Sequence, residues 1–440
     1  MKHKIRIGCG AGFSGDRLEP ALILAERGEL DYLVLECLAE RTIALAQKRK
    51  LQDTTKGYDP LLERRIYGLL PLIKKNNIRL ITNMGAANPI TAAETICQIA
   101  RQLHLDIIVA AVTGDDVLPL LSGNENSIET GEPLHTSGKL ISANAYLGAD
   151  ALLPALATDA HIIITGRVAD PSLFVAPLVH SFGWSLDDTE RIGQATVIGH
   201  LMECAGQLTG GYFADPGKKD IPDFANLGHP FVDVWEDGTA IFSKVPGTGG
   251  TITLATVKEQ LLYEVMDPSQ YFTPDVVADF TGVYLTQTST NQIQVVGGKG
   301  QQKPETLKVS VGYAAGFIGE GEISYAGSNA LQRAQLAGET IRQRLSSSFS
   351  DIRIDYIGST SVHRTSFGHH PEPYEIRLRV AAKASTSTQA ALVGEEVEAL
   401  YTNGPAGGGG ARKYIHEVVG IVSTLIPRTQ VQSTISLYQA

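Results

Sequence analysis

The stretch "IGHLMECAGQLTGG", residues 198–211, places a histidine and a glutamate one helical turn apart. His200, Glu203, Cys204 and Gln207 fall on one stripe of a helix. Val197, Ile198, Leu201, Met202, Ala205 and Leu208 form a separate apolar face. The polar stripe holds no Lys or Arg, which a solvated stripe would usually carry. A His and a Glu at this spacing suit an acid–base pair. The plain alternative is a half-buried stripe whose polar groups satisfy one another. Two ligands on one helix do not make a metal site, and no HExxH is present, so no metal-binding residue is assigned.

Polar residues also stand at the ends of apolar runs. They are Glu36 in "VLECLAERT", Asn83 in "ITNMGAANP", Asp115 and Asp116 in "VTGDDV", and Arg167 in "IITGRVADP". In a parallel sheet, ligands bind beyond the carboxyl ends of the strands. Arg167 directly follows a strongly apolar strand, a costly place for a charge without a partner. A substrate carboxylate or a neighbouring acid would satisfy it. Asp170 precedes Pro171, so an N-cap followed by Pro at N1 explains it structurally; it also suits a site-lining role. The catalytic set expected is therefore His200, Glu203, Glu36 and Asp170, with Asn83 and Arg167 binding substrate.

Two glycine loops extend that binding set. "GCGAGFSGDR", residues 8–17, has the GxGxxG spacing at Gly10, Gly12 and Gly15, with Ser14 inside it. Asp16 and Glu19 have capping-box spacing, which predicts a helix from Asp16. Bare backbone before a helix start favours an anion, and Glu36 stands where an acid could hold a ribose. Three readings stay open: a tight turn alone, a bound carboxylate or CoA-type phosphate, and a nicotinamide cofactor. The second loop, "TNGPAGGGGARK", places Gly408, Gly409 and Arg412 before an expected helix. It reads as an anion nest or as a flexible hinge. The histidines of "HRTSFGHHPEP", His363, His369 and His370, read as surface. No GxSxG elbow or Walker motif occurs.

The elements that must position these residues follow the chain in two grammars. Up to about residue 215, short Val/Ile/Leu-rich runs alternate with helical patterns, predicting a parallel sheet with helices on both faces. Beyond it, "HPFVDVWEDGTAIFSKV" reads as a hairpin, and later alternating runs predict mixed or antiparallel strands with helices near 330–345 and 387–401. The expected domains are 1–215, α/β, and 216–440, α+β. Across 440 residues, 43% are apolar, 19% are charged, and the net charge is −10. These values exclude disorder, and no basic cluster marks a nucleic-acid partner. No run of about 18 apolar residues indicates a membrane span. Cys9, Cys37, Cys97 and Cys204 are widely spaced, as in a reduced cytoplasmic protein.

Together, "GAGFSGDR", "DYLVLECLAERT", "ITNMGAANP", "ITGRVADPSL", "HLMECAGQLTGG" and "TNGPAGGGGARK" resemble the acyclic terpene utilisation (AtuA) family over residues 4–415. The resemblance implies catabolism of terpenes and other branched acids through CoA thioesters. It carries no residue roles. Longer members have a C-terminal ferredoxin-like domain, so a small ferredoxin-like partner protein and an oligomer are expected here. The expectation is an enzyme acting on an organic acid or acyl-CoA by hydration, lyase or hydrolysis chemistry. The CoA moiety of the substrate and a divalent metal are the cofactors left open. An NAD(P)-dependent oxidoreductase using the first loop, and a non-catalytic acyl-binding or scaffold subunit, are the alternatives.

Overall fold

The computed structural model describes residues 3–364 and 372–440; His369 and His370 lie outside the described residues. The chain forms two compact units. The first holds residues 1–136, 140–312 and 421–440. Its elements begin with β1 (Lys4–Ala11), α1 (Glu19–Arg27), β2 (Tyr32–Leu35), α2 (Glu40–Gln52), α3 (Leu62–Asn76), β3 (Arg79–Thr82), α4 (Pro89–Gln102) and β4 (Ile108–Thr113). They continue with β5 (Leu140–Ala145), α5 (Leu153–Leu156), β6 (Ile162–Thr165), α6 (Ser172–Phe182), α7 (Thr189–Glu203), β7 (Pro230–Trp235), β8 (Ala240–Lys244) and α8 (Leu254–Leu262). Short strands follow: β9 (Tyr271–Phe272), β10 (Val277–Asp279), β11 (Tyr284–Ser289), β12 (Gln292–Val296) and β13 (Lys299–Gln301). The chain then runs through β14 (Thr306–Ala326), α9 (Ala330–Leu345), β15 (Ile352–Ile357), β16 (Glu375–Ala384), α10 (Ser387–Asn403), β17 (Gly409–Pro427) and β18 (Thr434–Gln439).

The fold is mixed α/β, as the alternation of apolar runs and helical patterns predicts. One sheet has the order β11-β12-β8-β7-β1-β2-β3-β6-β4-β18. The five strands β1-β2-β3-β6-β4 are parallel. Antiparallel strands flank them on both sides. The residues of β2 and β6 are buried throughout, as continuous apolar runs require when helices cover both faces. The expected hairpins form as β7–β8 and β11–β12.

The expected division at residue 215 falls inside the first unit. The change in sequence grammar there marks a switch from parallel to antiparallel strands within one sheet, because β7 pairs directly with β1. The second unit, residues 137–139 and 313–420, carries the sheet order β15-β16-β14-β17. Its core includes Ile323, Tyr325, Ile341, Leu378, Val380, Val393 and Val397. The helices expected near 330–345 and 387–401 are α9 and α10.

Three local expectations are corrected. The first helix starts at Glu19, not Asp16, with no side-chain cap. Asp16 instead accepts a hydrogen bond from the Gly12 N–H at 2.8 Å. Asp170 does not cap α6, because its carboxylate is drawn to Arg167 at 2.8 Å. The residues after Gly408 form the strand β17 rather than a helix, as the alternation in "YIHEVV" favours. The strand β5 went unrecognised because its small residues, "LISANA", lack a β-branched run.

Helix α7 is buried on nearly every side: Ile192 to Glu203 are all buried. Its close approach to β13 depends on Gly193, where a Cβ would overlap the Lys299 carbonyl group and the Gly300 nitrogen. Gly193→Ala is expected to destabilise the protein by about 2 kcal/mol or more, the upper part of the overpacking range. A urea unfolding midpoint within error of the wild type would contradict this packing.

Candidate active site

Glu36, Asn83 and Arg167 stand just past the ends of β2, β3 and β6, which are neighbours in the sheet. Parallel pairing brings these ends together, as the sequence position of each residue predicts. One Glu36 carboxylate oxygen accepts from Asn83 Nδ2 and from the Leu38 N–H, both at 2.8 Å. Asn83 in turn accepts from the Cys37 N–H at 2.7 Å. Asp115, beyond β4, accepts from the Arg167 N–H and from Asn144 Nδ2, each at 2.8 Å. Burial pushes the Asp115 carboxyl up to about 6, against those two hydrogen bonds. Burial also raises Glu36 well above the carboxylate range; Asp170 adds to the rise, and Arg167 opposes it.

Arg167 is 1% exposed. Its Nη1 donates to the Leu38 carbonyl and to Asp170 Oδ1. Its guanidinium lies 4.1 Å from the centre of the Tyr146 ring. The Tyr146 hydroxyl donates to Glu40, and Lys308 Nζ lies 3.2 Å from the same carboxylate. Burial works against the charge of Glu40. The Tyr146 hydrogen bond, with Arg167 and Lys308, overcomes it and lowers the carboxyl to about 2. Arg167 Nε is buried with no partner among the described residues. The Asp170 side chain is 34% exposed, so the cluster reaches solvent there.

At the end of α7, His200 Nδ1 lies 3.0 Å from Glu203 Oε1, and His200 Nε2 lies 3.0 Å from the Gln260 carbonyl oxygen. A carbonyl only accepts, so Nε2 carries a proton. A neutral His200 then accepts at Nδ1, which places the shared proton on Glu203. Burial drives both groups the same way. It lowers His200 to about 4. It raises Glu203 well above the usual range, and Asp170 and Glu264 push further than Arg167 pulls back. The pair is therefore a protonated carboxyl beside a neutral imidazole. Glu203 Oε2 is buried with no partner among the described residues. Tyr271 and Phe280 pack against the imidazole, each with centroids 5.3 Å away.

Close packing accounts for the first glycine loop. A Cβ on Gly12 would overlap the Glu203 carbonyl and Cys204, and one on Gly10 would meet Leu35 Cδ2 at 2.7 Å. A Cβ on Gly15 would meet the Phe13 ring at 2.5 Å. The Gly12 N–H already holds a carboxylate, that of Asp16. Ser14 Oγ donates to Asp59 at 2.6 Å. Backbone strain gathers nearby: Ala86 and Ala205 have φ of 46° and 44°, conformations that alanine seldom adopts. Gly408, Gly409 and Arg412 belong to the second unit, on and beside β17.

Tyr146, Glu40 and Lys308 were not visible as site residues. Tyr146 follows the unrecognised β5, and Lys308 is remote in sequence. Glu40 lies in the same "LECLAERT" stretch as Glu36, and that was the available signal. Gln260, which meets His200 from α8, carried none. Among the described residues no group of three or more His, Cys, Asp and Glu is placed to hold a metal ion. No helix is long and apolar enough to cross a membrane, among the same residues.

The family model of the acyclic terpene utilisation family protein AtuA matches residues 5–437, and the chain belongs to that family. No curated protein and no solved structure matches it.

A neutral Glu203 has a spectroscopic consequence. Infrared difference spectroscopy at neutral pH is expected to show carboxylic-acid C=O absorption, part of which is lost in Glu203→Gln while the contribution of the buried Glu36 remains. Absorption unchanged in that variant would place the proton on His200 instead.

Proposed function

We propose that the chain is a catabolic enzyme of acyclic terpene or branched organic acid degradation, acting on an organic acid or its CoA thioester. The observation that carries this reading is a buried, neutral acid within the electrostatic reach of a buried cation. Glu203 is held neutral with one free oxygen, and Arg167 has an unanswered N–H. Family membership supplies the metabolic setting.

The chemistry follows from these residues. Arg167 holds a carboxylate or a thioester carbonyl, and its charge stabilises negative charge developing on that oxygen. Glu203 delivers its proton to the substrate and is left as the carboxylate, which solvent reprotonates; His200 Nδ1 holds that proton in place beforehand. Glu36 and Asp170 provide carboxyl groups of differing exposure, the more exposed Asp170 serving as the base. Hydration, elimination and thioester hydrolysis all need this combination of an anion clamp and a proton donor. Gly12 gives the nicotinamide alternative little support, since its N–H faces an internal carboxylate where a pyrophosphate would have to sit.

The test is incubation of the purified chain with acyclic terpenoid acids and their CoA thioesters, followed by mass spectrometry of products and titration of free thiol. Turnover is expected with at least one thioester. Glu203→Gln is expected to lower kcat by about 100-fold or more, the usual range for losing a general acid. Arg167→Met is expected to weaken substrate binding. Turnover unaffected in Glu203→Gln would remove the proposed acid. Tight binding with no turnover would leave an acyl-binding subunit.

A further inference from the structure

A second buried arginine lies in the first unit with no carboxylate bonded to it; the buried Asp59 acts on it only through space. Arg65 stands in the first turn of α3 and is 1% exposed. Its Nη2 donates to the carbonyl oxygens of Ser14 and Asp16, at 2.9 and 2.8 Å. Its Nε and Nη1 are buried with no partner among the described residues. All its hydrogen bonds thus go to backbone carbonyls, and none to a carboxylate. Arg167, by contrast, has Asp170. Buried guanidinium N–H groups without acceptors are unfavourable, so folded chains pair them or leave them for a ligand.

Arg65 lines a cavity of about 420 Å³, together with Gly15, Arg17, Leu18 and Arg64. The cavity also meets the start of α1, a helix of nine residues whose N-terminal N–H groups no side chain caps. Asp16 and Glu19 share the wall. The Asp16 carboxylate is engaged by the Gly12 N–H, which softens its repulsion of an incoming anion. Three arginines then face two acids, and of the three Arg17 also donates to the Ala225 carbonyl at 2.6 Å.

We propose that this cavity is an oxyanion site that takes a phosphate group, either as inorganic phosphate or as the phosphate of a larger molecule. Nε and Nη1 of Arg65 offer three N–H donors, and Arg17 and Arg64 add guanidinium charge. That set suits a tetrahedral dianion with three free oxygens better than a two-oxygen carboxylate. The helix start contributes in the same direction. The site is independent of the Arg167–Glu203 cluster and takes no part in the proton transfer proposed there.

Melting curves with inorganic phosphate and with methyl phosphate, at ionic strength held constant with chloride, test it. Both anions are expected to raise the melting temperature of the wild type. Preference for inorganic phosphate would mark a free-phosphate site, and equal or better response to the monoester would mark a carried phosphate. Arg65→Met is expected to abolish the rise. Arg64→Ala, at an exposed position that leaves the fold intact, is expected to weaken the apparent phosphate affinity about tenfold, and it decides the matter if Arg65→Met fails to fold. Glu203→Gln is expected to keep the full rise, so a failed acid–base mechanism and a failed phosphate site give different results. No phosphate-dependent rise in the wild type, or an undiminished rise in both arginine variants, would overturn the proposal.

Discussion

A single buried cation organises the first unit. Arg167 follows an apolar strand and sits where water is excluded. A charge in such a place needs compensation from its neighbours. The surrounding residues do so in layers. Asp115 fixes the Arg167 backbone N–H, the Leu38 carbonyl and Asp170 take Nη1, and the Tyr146 ring supports the guanidinium. Tyr146 is held by Glu40, which Lys308 pairs with. Gly166 is required because a side chain there would displace the Asp115 carboxylate. Residues from five separate stretches of chain are thereby tied to one guanidinium.

The same cation sets the protonation of its neighbours. Glu36, Asp170 and Glu203 all feel Arg167, but one positive charge compensates about one negative charge in a low-dielectric interior. Asp170 takes that compensation because it makes the direct contact. Desolvation raises all three: Arg167 opposes the rise at Asp170 by direct contact, while repulsion from Asp170 pushes Glu36 and Glu203 well above the usual range. The shared cause grades the acids: Asp170 is partly exposed and paired with the guanidinium, and Glu36 and Glu203 are buried and pushed further up. Environments that drive neighbouring acids apart in this way are how a site holds a proton donor and an acceptor at the same pH.

Much of this was legible in the sequence, because it rests on periodicity. Continuous apolar runs gave away the parallel strands, and the polar residue after each run marked the sheet's carboxyl edge. The stripe of His200 and Glu203 followed from helical spacing alone. What stayed hidden depended on competition between partners. Asp16 had a legal cap position, and a backbone N–H within the loop won it. Asp170 had the Asp-Pro signature of an N-cap, and a buried guanidinium three residues back outcompeted the helix N–H groups. Local rules rank the local options, and a buried charge outranks them. The change of pattern at residue 215 has a related cause: a change in strand direction alters the sequence pattern without ending the sheet.

The glycine loop shows how a motif's spacing and its purpose can separate. GxGxxG after a strand and before a helix suggests room for a ligand. Here the room is filled twice. The end of α7 occupies the space against Gly12, and the Asp16 carboxylate occupies its N–H. Removing a side chain at position 12 therefore serves to bring Glu203 and Cys204 up to the end of β1. Helix α7 reaches that position by a second close approach, at Gly193. Two glycines far apart in sequence thus act together to seat one helix. That helix end delivers a neutral carboxyl into the field of Arg167. The loop contributes to this region through packing.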